Sequence, residues 1–394
     1  MLNRRILRVK AMQNLYAFQQ SKISVFHVAN NMISERFTPD WDTEELVAEK
    51  MKLDKKEAQA IFKTTYNKEA TIIADEVNTE VKNAIVDAKN FYSQQMDKDF
   101  RHFRENISRY THNVYYLYLL LLKLLVEITE IISNEWQEKQ RKTASRDNTQ
   151  VQSKSELNLV LNNVIQTLKT NEALNNEMKQ YQVSWQSKLD ILRHWYKDRL
   201  KADEKYQQYL KKSNPGQEQD AEIANHILRK LVLKDDILTP WFEEIDICWN
   251  EDRKVVKSML SKTLKSVEAG DGELELAVLS PNWEEDLAYC KELYTQTVLN
   301  EKINEELLQQ RIKNWEIDRI ASIDYILLQM AISEMVFFPN IPIKVTINEF
   351  IEISKNYSTP KSKTFINGVL DVIANKLTQE GKIRKSGRGL IDNK

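Results

Sequence analysis

Glycine and proline are scarce in this chain of 394 residues, with only seven of each, against ordinary shares of roughly 7% and 5%. Glycine supplies tight turns and left-handed backbone, and proline stops helices. So few of either rules out turn-rich sandwiches, barrels and glycine-rich phosphate loops. Two cysteines, Cys248 and Cys290, are too few for a disulfide framework and point to a reducing compartment. Charge of one sign is also lacking. The formal net charge is −1, so any attraction to nucleic acid or membrane has to be local. No continuous apolar run reads as a signal peptide in residues 1–20. The run Asn113–Ile132 is the nearest to a membrane span, but it carries Lys123 and Glu127 and reads as a buried core helix.

Catalytic signatures are missing as well. There is no HExxH, no CxxC, no Gly-x-Ser-x-Gly elbow and no phosphate loop. The five histidines are scattered, and the acids Glu243, Glu244 and Asp246 read as a solvated helix face. No metal, cofactor, small-molecule substrate or catalytic residue is expected, and function is sought in binding.

What is present is helix. Residues 3–20 carry Leu7, Ala11, Leu15 and Phe18 on one stripe. Amphipathic patterning runs over about 42–100, an apolar helix over 103–137, and further helices over 157–211, 220–235, 240–266 and 283–309. Polar stretches at 138–156 and 211–219 read as linker and break, with Gly270-Asp271-Gly272 as a turn. Three helices close the chain. The first spans about 315–336, with Ile320, Ile323, Leu327, Met330 and Ala331 on its core face. The second is expected to start at Thr346, with Thr346 and Glu349 as a capping box and Val345 with Phe350 as the hydrophobic staple. The third is expected to start at Thr359-Pro360, with Ile366, Val369, Leu370, Ile373 and Leu377 as its stripe. Gly368 inside it costs about 1 kcal/mol against alanine, which close approach of a neighbouring backbone would explain.

Arg4, Arg5 and Arg8 crowd the first turns of the opening helix, and Lys361 and Lys363 the first turn of the closing one. Cations there oppose the helix dipole by roughly 0.3–1 kcal/mol each. A bound phosphate would reverse that sign. Phe365 lies at the edge of the core stripe, where a ring can stack on an unpaired base, and Asn367 can read a base edge or cap a neighbour. The bland alternative is solvated cations and a core phenylalanine.

Residues 314–373 resemble the NusB transcription antitermination family. The resemblance is carried by Trp315…Arg319-Ile320, Ile341-Pro342…Ile347-Asn348-Glu349, Lys355 with Tyr357, and Phe365-Ile366-Asn367-Gly368-Val369-Leu370-Asp371. The N-terminal "RRILRVKAMQNLYAFQ" (4–19) is similar to that family's arginine-rich first helix, and the Thr359-Pro360-Lys361-Ser362 start with the tail "GRGLI" resembles a long, Bacteroidetes-type form. The resemblance implies an all-α core of two packed three-helix bundles. It implies a cytoplasmic protein that binds single-stranded boxA RNA jointly with the ribosomal protein NusE, in an antitermination complex with RNA polymerase and other Nus factors. Arg4, Arg5, Arg8, Lys361, Lys363, Phe365 and Asn367 take the RNA-facing roles; Tyr16, Asp318 and Asp324 face NusE. The expected organisation is 1–20 as first core helix, 21–280 as a helical insertion that includes parts of the core, 281–378 as the rest of the core, and 379–394 as a basic tail. Ile6 and Val9 make the arginine run thinner than in the most basic members. The other readings are a scaffold that keeps the NusE interface without RNA binding, and an RNA cytosine methyltransferase, for which a glycine-rich cofactor loop is missing.

Overall fold

A computed structural model describes residues 3–68, 77–144, 154–269, 274–310 and 320–393. Among them there is no strand, and the chain is all-α. The α-helices run α1 Arg4–Arg36, α2 Glu45–Thr65, α3 Thr79–Ala144, α4 Asn163–Thr170, α5 Glu172–Gln180, α6 Leu189–Trp195, α7 Glu204–Leu210, α8 Gln217–His226, α9 Thr239–Ile245, α10 Trp249–Ala269, α11 Trp283–Leu299, α12 Glu301–Gln309, α13 Ser322–Phe337, α14 Ile343–Tyr357 and α15 Ser362–Gln379. α1 is nearly twice the length expected, and the expected break near residue 100 does not occur. Nothing between Thr79 and Ala144 is glycine or proline, so no residue stops α3. The same helix uses up the start of the expected linker at 138–156. The expected turn at Gly270–Gly272 and the residues 315–319 lie outside the described residues.

The chain divides into two compact units, Arg4–Ser108 with Glu284–Lys394, and Met1–Asn3 with Arg109–Trp283. In the second of these the apolar half of α3 is the core: Leu117, Tyr118, Leu119, Leu120, Leu121, Leu122, Leu124 and Leu125 are all buried. Trp185 donates its indole N–H to the carbonyl of Leu120 at 3.0 Å, and Tyr118 shares a 2.6 Å hydrogen bond with Thr263. Gln182 ends α5 at φ 52, a left-handed position that glycine ordinarily fills. No described helix is long and apolar enough to cross a membrane.

The unit formed by Arg4–Ser108 and Glu284–Lys394 is built on α13, which packs against α1, α12, α14 and α15. Its side chains from Ile326 to Met335 are buried almost all round, as a helix enclosed by neighbours requires. Leu7, Ala11, Leu15 and Phe18 of α1 are buried as the stripe predicts. So are Ile366, Leu370, Ile373 and Leu377 of α15, with Val369 half-buried.

Candidate nucleic-acid interface

The first turns of α1 are tied down by acids. Arg8 is 2% exposed, and its guanidinium makes a two-pronged bond to Glu334 of α13, Nε to Oε2 at 2.7 Å and Nη2 to Oε1 at 2.8 Å. The same carboxylate accepts from the Tyr289 hydroxyl and, at 2.7 Å, from the Thr346 hydroxyl. Burial pulls the Arg8 guanidinium down, but Glu334, Tyr289 and Glu349 outweigh it and leave Arg8 more firmly protonated than usual. Burial, with Glu334 beside it, holds the Tyr289 hydroxyl well above its ordinary range. Arg5 bonds both oxygens of Glu349 at 2.8 Å, which keeps that carboxyl below the usual glutamate range. Arg4 pairs with Glu285 at 3.1 Å and Asp286 at 3.4 Å.

Two expectations are corrected here. Arg8 does not face a ligand: it is a buried tie between α1 and α13. Nor do Thr346 and Glu349 form a capping box. α14 already begins at Ile343 behind Pro342, which puts Thr346 inside the helix, and its hydroxyl serves Glu334 while Glu349 holds Arg5. Tertiary carboxylate contacts with guanidinium are charge-assisted and outcompete a local cap. Val345 remains substantially exposed while Phe350 is buried.

The start of α15 is organised differently. The helix begins at Ser362, about two residues later than expected, with Lys361 at the cap position and no side-chain cap. Ser362 donates to Asp324 at 2.6 Å, and Thr359 and Ser358 share hydrogen bonds with the Ser362 hydroxyl at 2.8 and 3.0 Å. Asp324 is 5% exposed. It therefore braces the loop 358–362 from beneath, and a partner approaching that face meets the loop first. Lys361, Lys363 and Asn367 are exposed and Phe365 is half-buried. Neither lysine has an ion-pair partner among the described residues. Asn367 donates to Asp371 at 3.1 Å. Gly368 has nothing within 4 Å of where a Cβ would stand, so no neighbouring backbone accounts for it. Lys361, Phe365 and Gly368 share one face, and the glycine leaves that face bare.

Both basic beginnings therefore stand on α13, Arg8 against Glu334 near its end and Ser362 against Asp324 near its start. Ten residues of helix separate those two acids, about 15 Å at 1.5 Å per residue. The two basic beginnings are therefore two separate poles of the unit. Tyr16 is 40% exposed on α1. Asp318 lies outside the described residues.

The residues from 382 onward add to the same unit. Ser386 donates its N–H to the Pro339 carbonyl at 3.1 Å, and Lys385 donates to the Phe338 carbonyl at 3.0 Å. A side chain at Gly389 would meet the Pro339 carbonyl oxygen at 2.0 Å, so only glycine fits there. Arg384 and Arg388 are exposed. Burial pushes the Lys385 ammonium down to about 8.

Sequence reading missed Glu334, Glu349, Glu285, Asp286 and Tyr289 as partners. One signal was available: Glu334 is the single charged residue between Ile326 and Phe338. A lone charge in an apolar helix needs a buried counter-charge. Among the described residues no cluster of His, Cys, Asp and Glu is arranged to hold a metal ion.

The NusB family model matches residues 261–375. That stretch takes in the end of α10 and most of α11 to α15 and leaves out α1. The transcription antitermination protein NusB of Salinibacter ruber is 39% identical over 145 residues, which is 35% of this chain and 91% of that protein. The protein of the same name from Natranaerobius thermophilus is 41% identical over 101 residues, 24% of this chain and 72% of its own length. The one from Chloroherpeton thalassium is 52% identical over 79 residues, 20% of this chain and 37% of its own length. No solved structure matches the chain. With nine-tenths of the Salinibacter ruber protein covered at that identity, the chain belongs to the NusB family.

Proposed function

We propose that this protein is a transcription antitermination factor that binds boxA-type single-stranded RNA together with NusE, promotes elongation of ribosomal RNA transcripts in the cytoplasm, and carries out no catalysis. Membership of the NusB family and the likeness to transcription antitermination proteins support the transcriptional role. The observation that carries RNA binding is the start of α15: Lys361 and Lys363 exposed, unpaired among the described residues, and held in place by the Asp324–Ser362 hydrogen bond. A cation already neutralised by a carboxylate has little to offer a phosphate, whereas these two have their charge available. Phe365 stacks a base, a contact worth about 1–3 kcal/mol. Asn367 reads a base edge, and the bare backbone at Gly368 lets the strand come close. Arg4 and Arg5 are 40% and 45% exposed in their ion pairs and contribute less than the two lysines, since a phosphate reaches them only by displacing a carboxylate. Arg8 orients the arginine-bearing turn through Glu334. Tyr16 and Asp318 face NusE, and Asp324 acts through the loop it braces.

Fluorescence anisotropy with a boxA-like single strand tests this reading. Lys361→Ala/Lys363→Ala is expected to weaken binding and to flatten the salt dependence by about 1.4, two contacts at roughly 0.7 each for single strands. If affinity and salt slope stay where they were, the assigned surface is wrong. The neutralised state of Arg4, Arg5 and Arg8 favours a second reading, a protein scaffold that engages NusE alone. Tight NusE binding with equal affinity for boxA and a scrambled strand would identify it.

A further inference from the structure

The loop after α1 and the first half of α2 present apolar side chains to solvent. Trp41 is 98% exposed, Leu46 81% and Leu53 67%. Tryptophan is rarely left so bare on a protein surface. The remainder of α2 is well anchored. Ala58 and Phe62 pack into a core with Val25, Ala29, Ile33 and Phe37 of α1 and Val81, Ala84, Ile85 and Ala88 of α3. The exposed residues therefore project from a held helix. Leu46 and Leu53, two turns apart, lie on one face of it.

From Asp40 to Glu49, around Trp41 and Leu46, the charge is of one sign, while Leu53 stands among Lys50, Lys52 and Lys56. Asp40, Asp42, Glu44, Glu45 and Glu49 are all exposed, and no lysine or arginine falls between Arg36 and Lys50. None of the five carboxylates has an ion pair among the described residues. Glu44 and Glu45 at the start of α2 suit the helix dipole, so α2 itself accounts for them. Asp40, Asp42 and Glu49 have no such service to perform.

We propose that Trp41 and Leu46, with the acidic rim that runs from Asp40 to Glu49, form a docking surface for a basic protein, one that offers an apolar socket for the indole ringed by lysine and arginine. Charge complementarity selects this occupant. At Trp41 and Leu46 a nucleic acid or an anionic lipid surface would meet unpaired carboxylates before the first lysine, Lys50, and a second copy docked Trp41 to Trp41 would set acid against acid. Buried tryptophans dominate binding energy at interfaces, and a complementary rim speeds and directs the encounter. The surface is separate from the proposed RNA-facing one. α1 has 33 residues, about 50 Å of helix at 1.5 Å per residue, with Arg4 and Arg5 at its beginning and Trp41 just beyond its end.

The experiment keeps Trp41 and places a photo-reactive phenylalanine beside it, at exposed Val47 of the full chain, in the cells the protein comes from, with the same residue at exposed Leu161 as control. The expected product is an adduct, specific to position 47, with a protein richer in lysine and arginine than in acids. Its yield should fall at least about tenfold, the loss of a hot-spot contact, in Trp41→Ser/Leu46→Ser and in Glu44→Gln/Glu45→Gln/Glu49→Gln. Asp40→Asn/Asp42→Asn gives the same charge test outside the helix, should the triple change disturb α2. An adduct with RNA, lipid, a second copy or an acidic protein, no adduct at all, or a yield indifferent to neutralisation overturns the proposal. Binding of the boxA-like strand by these variants should be unchanged, which keeps this surface and the RNA-facing one independently testable.

Discussion

Glu334 fixes how the arginine-bearing end of α1 is held. Its two oxygens take four hydrogen bonds, two from Arg8 and one each from Tyr289 and Thr346. Breaking a buried pair by removing one partner leaves an uncompensated charge, at a cost of about 3–5 kcal/mol. Glu334→Ala is expected to lose stability of that order in urea unfolding, and Arg8→Met added to Glu334→Leu should recover most of it. A single variant as stable as the parent would show that the tie contributes nothing. At this scale the sequence was only half legible. Arg4, Arg5 and Arg8 read as crowded cations, and that crowding was real. Their acids lie between 281 and 344 positions away in the chain. Periodicity along one helix carries no trace of what folds onto it from another. Asp324 shows the same limit: as a letter it is a solvated charge, and only the arrival of Ser362 makes it a brace.

Helices were easier to find than their ends. The stripes Leu7-Ala11-Leu15-Phe18 and Ile366-Leu370-Ile373-Leu377 predicted core faces because burial repeats with the helical turn. The boundaries failed where a local signal competed with a long-range one. Thr346 and Glu349 have the spacing of a cap, yet both are spent on contacts with other helices. α1 and α3 outran expectation because a fall in apolar content is not a stop signal when no glycine or proline follows. Gly368 yields a prediction at this scale. With open space where its side chain would be, Gly368→Ala should stabilise the protein by about 1 kcal/mol through helix propensity alone, read as a rise in the thermal midpoint. Under the RNA-binding reading the same variant should bind the boxA-like strand no better than the parent. A fall in the midpoint would mean that the position carries strain.

At the scale of the whole molecule, the resemblance sat at the two ends of the sequence, and the unit that holds those ends also includes residues 21–108. What the remaining unit contributes was not legible, because its long-range hydrogen bonds, such as Trp185 to Leu120, fix a core and name no ligand. Stability against pH is a property of the whole fold, and Lys385 sets part of it. Its ammonium is held down to about 8 by burial, against about 10.4 for a free lysine. Between those values the unfolded chain binds a proton that the folded one has shed, so stability rises with pH. Above about pH 9 the Cys290 thiol, pushed up to about 12 by burial, works against this rise, so the Lys385 contribution is read as the urea midpoint of the parent minus that of Lys385→Met, which should climb from about pH 8 to pH 10. Above that window Tyr289, kept protonated by burial, works in the opposite sense.

A molecule of net charge −1 feels almost no overall pull toward a polyanion. It can still be turned by one. α1 begins among exposed arginines and leads at its far end to a cluster of bare carboxylates. Near a nucleic acid the bare carboxylates about Trp41 are repelled, whereas the first turns, their arginines already paired with acids, are not, so Trp41 swings outward. The protein would arrive already aligned, with one end committed to the strand and the other held clear for a second molecule.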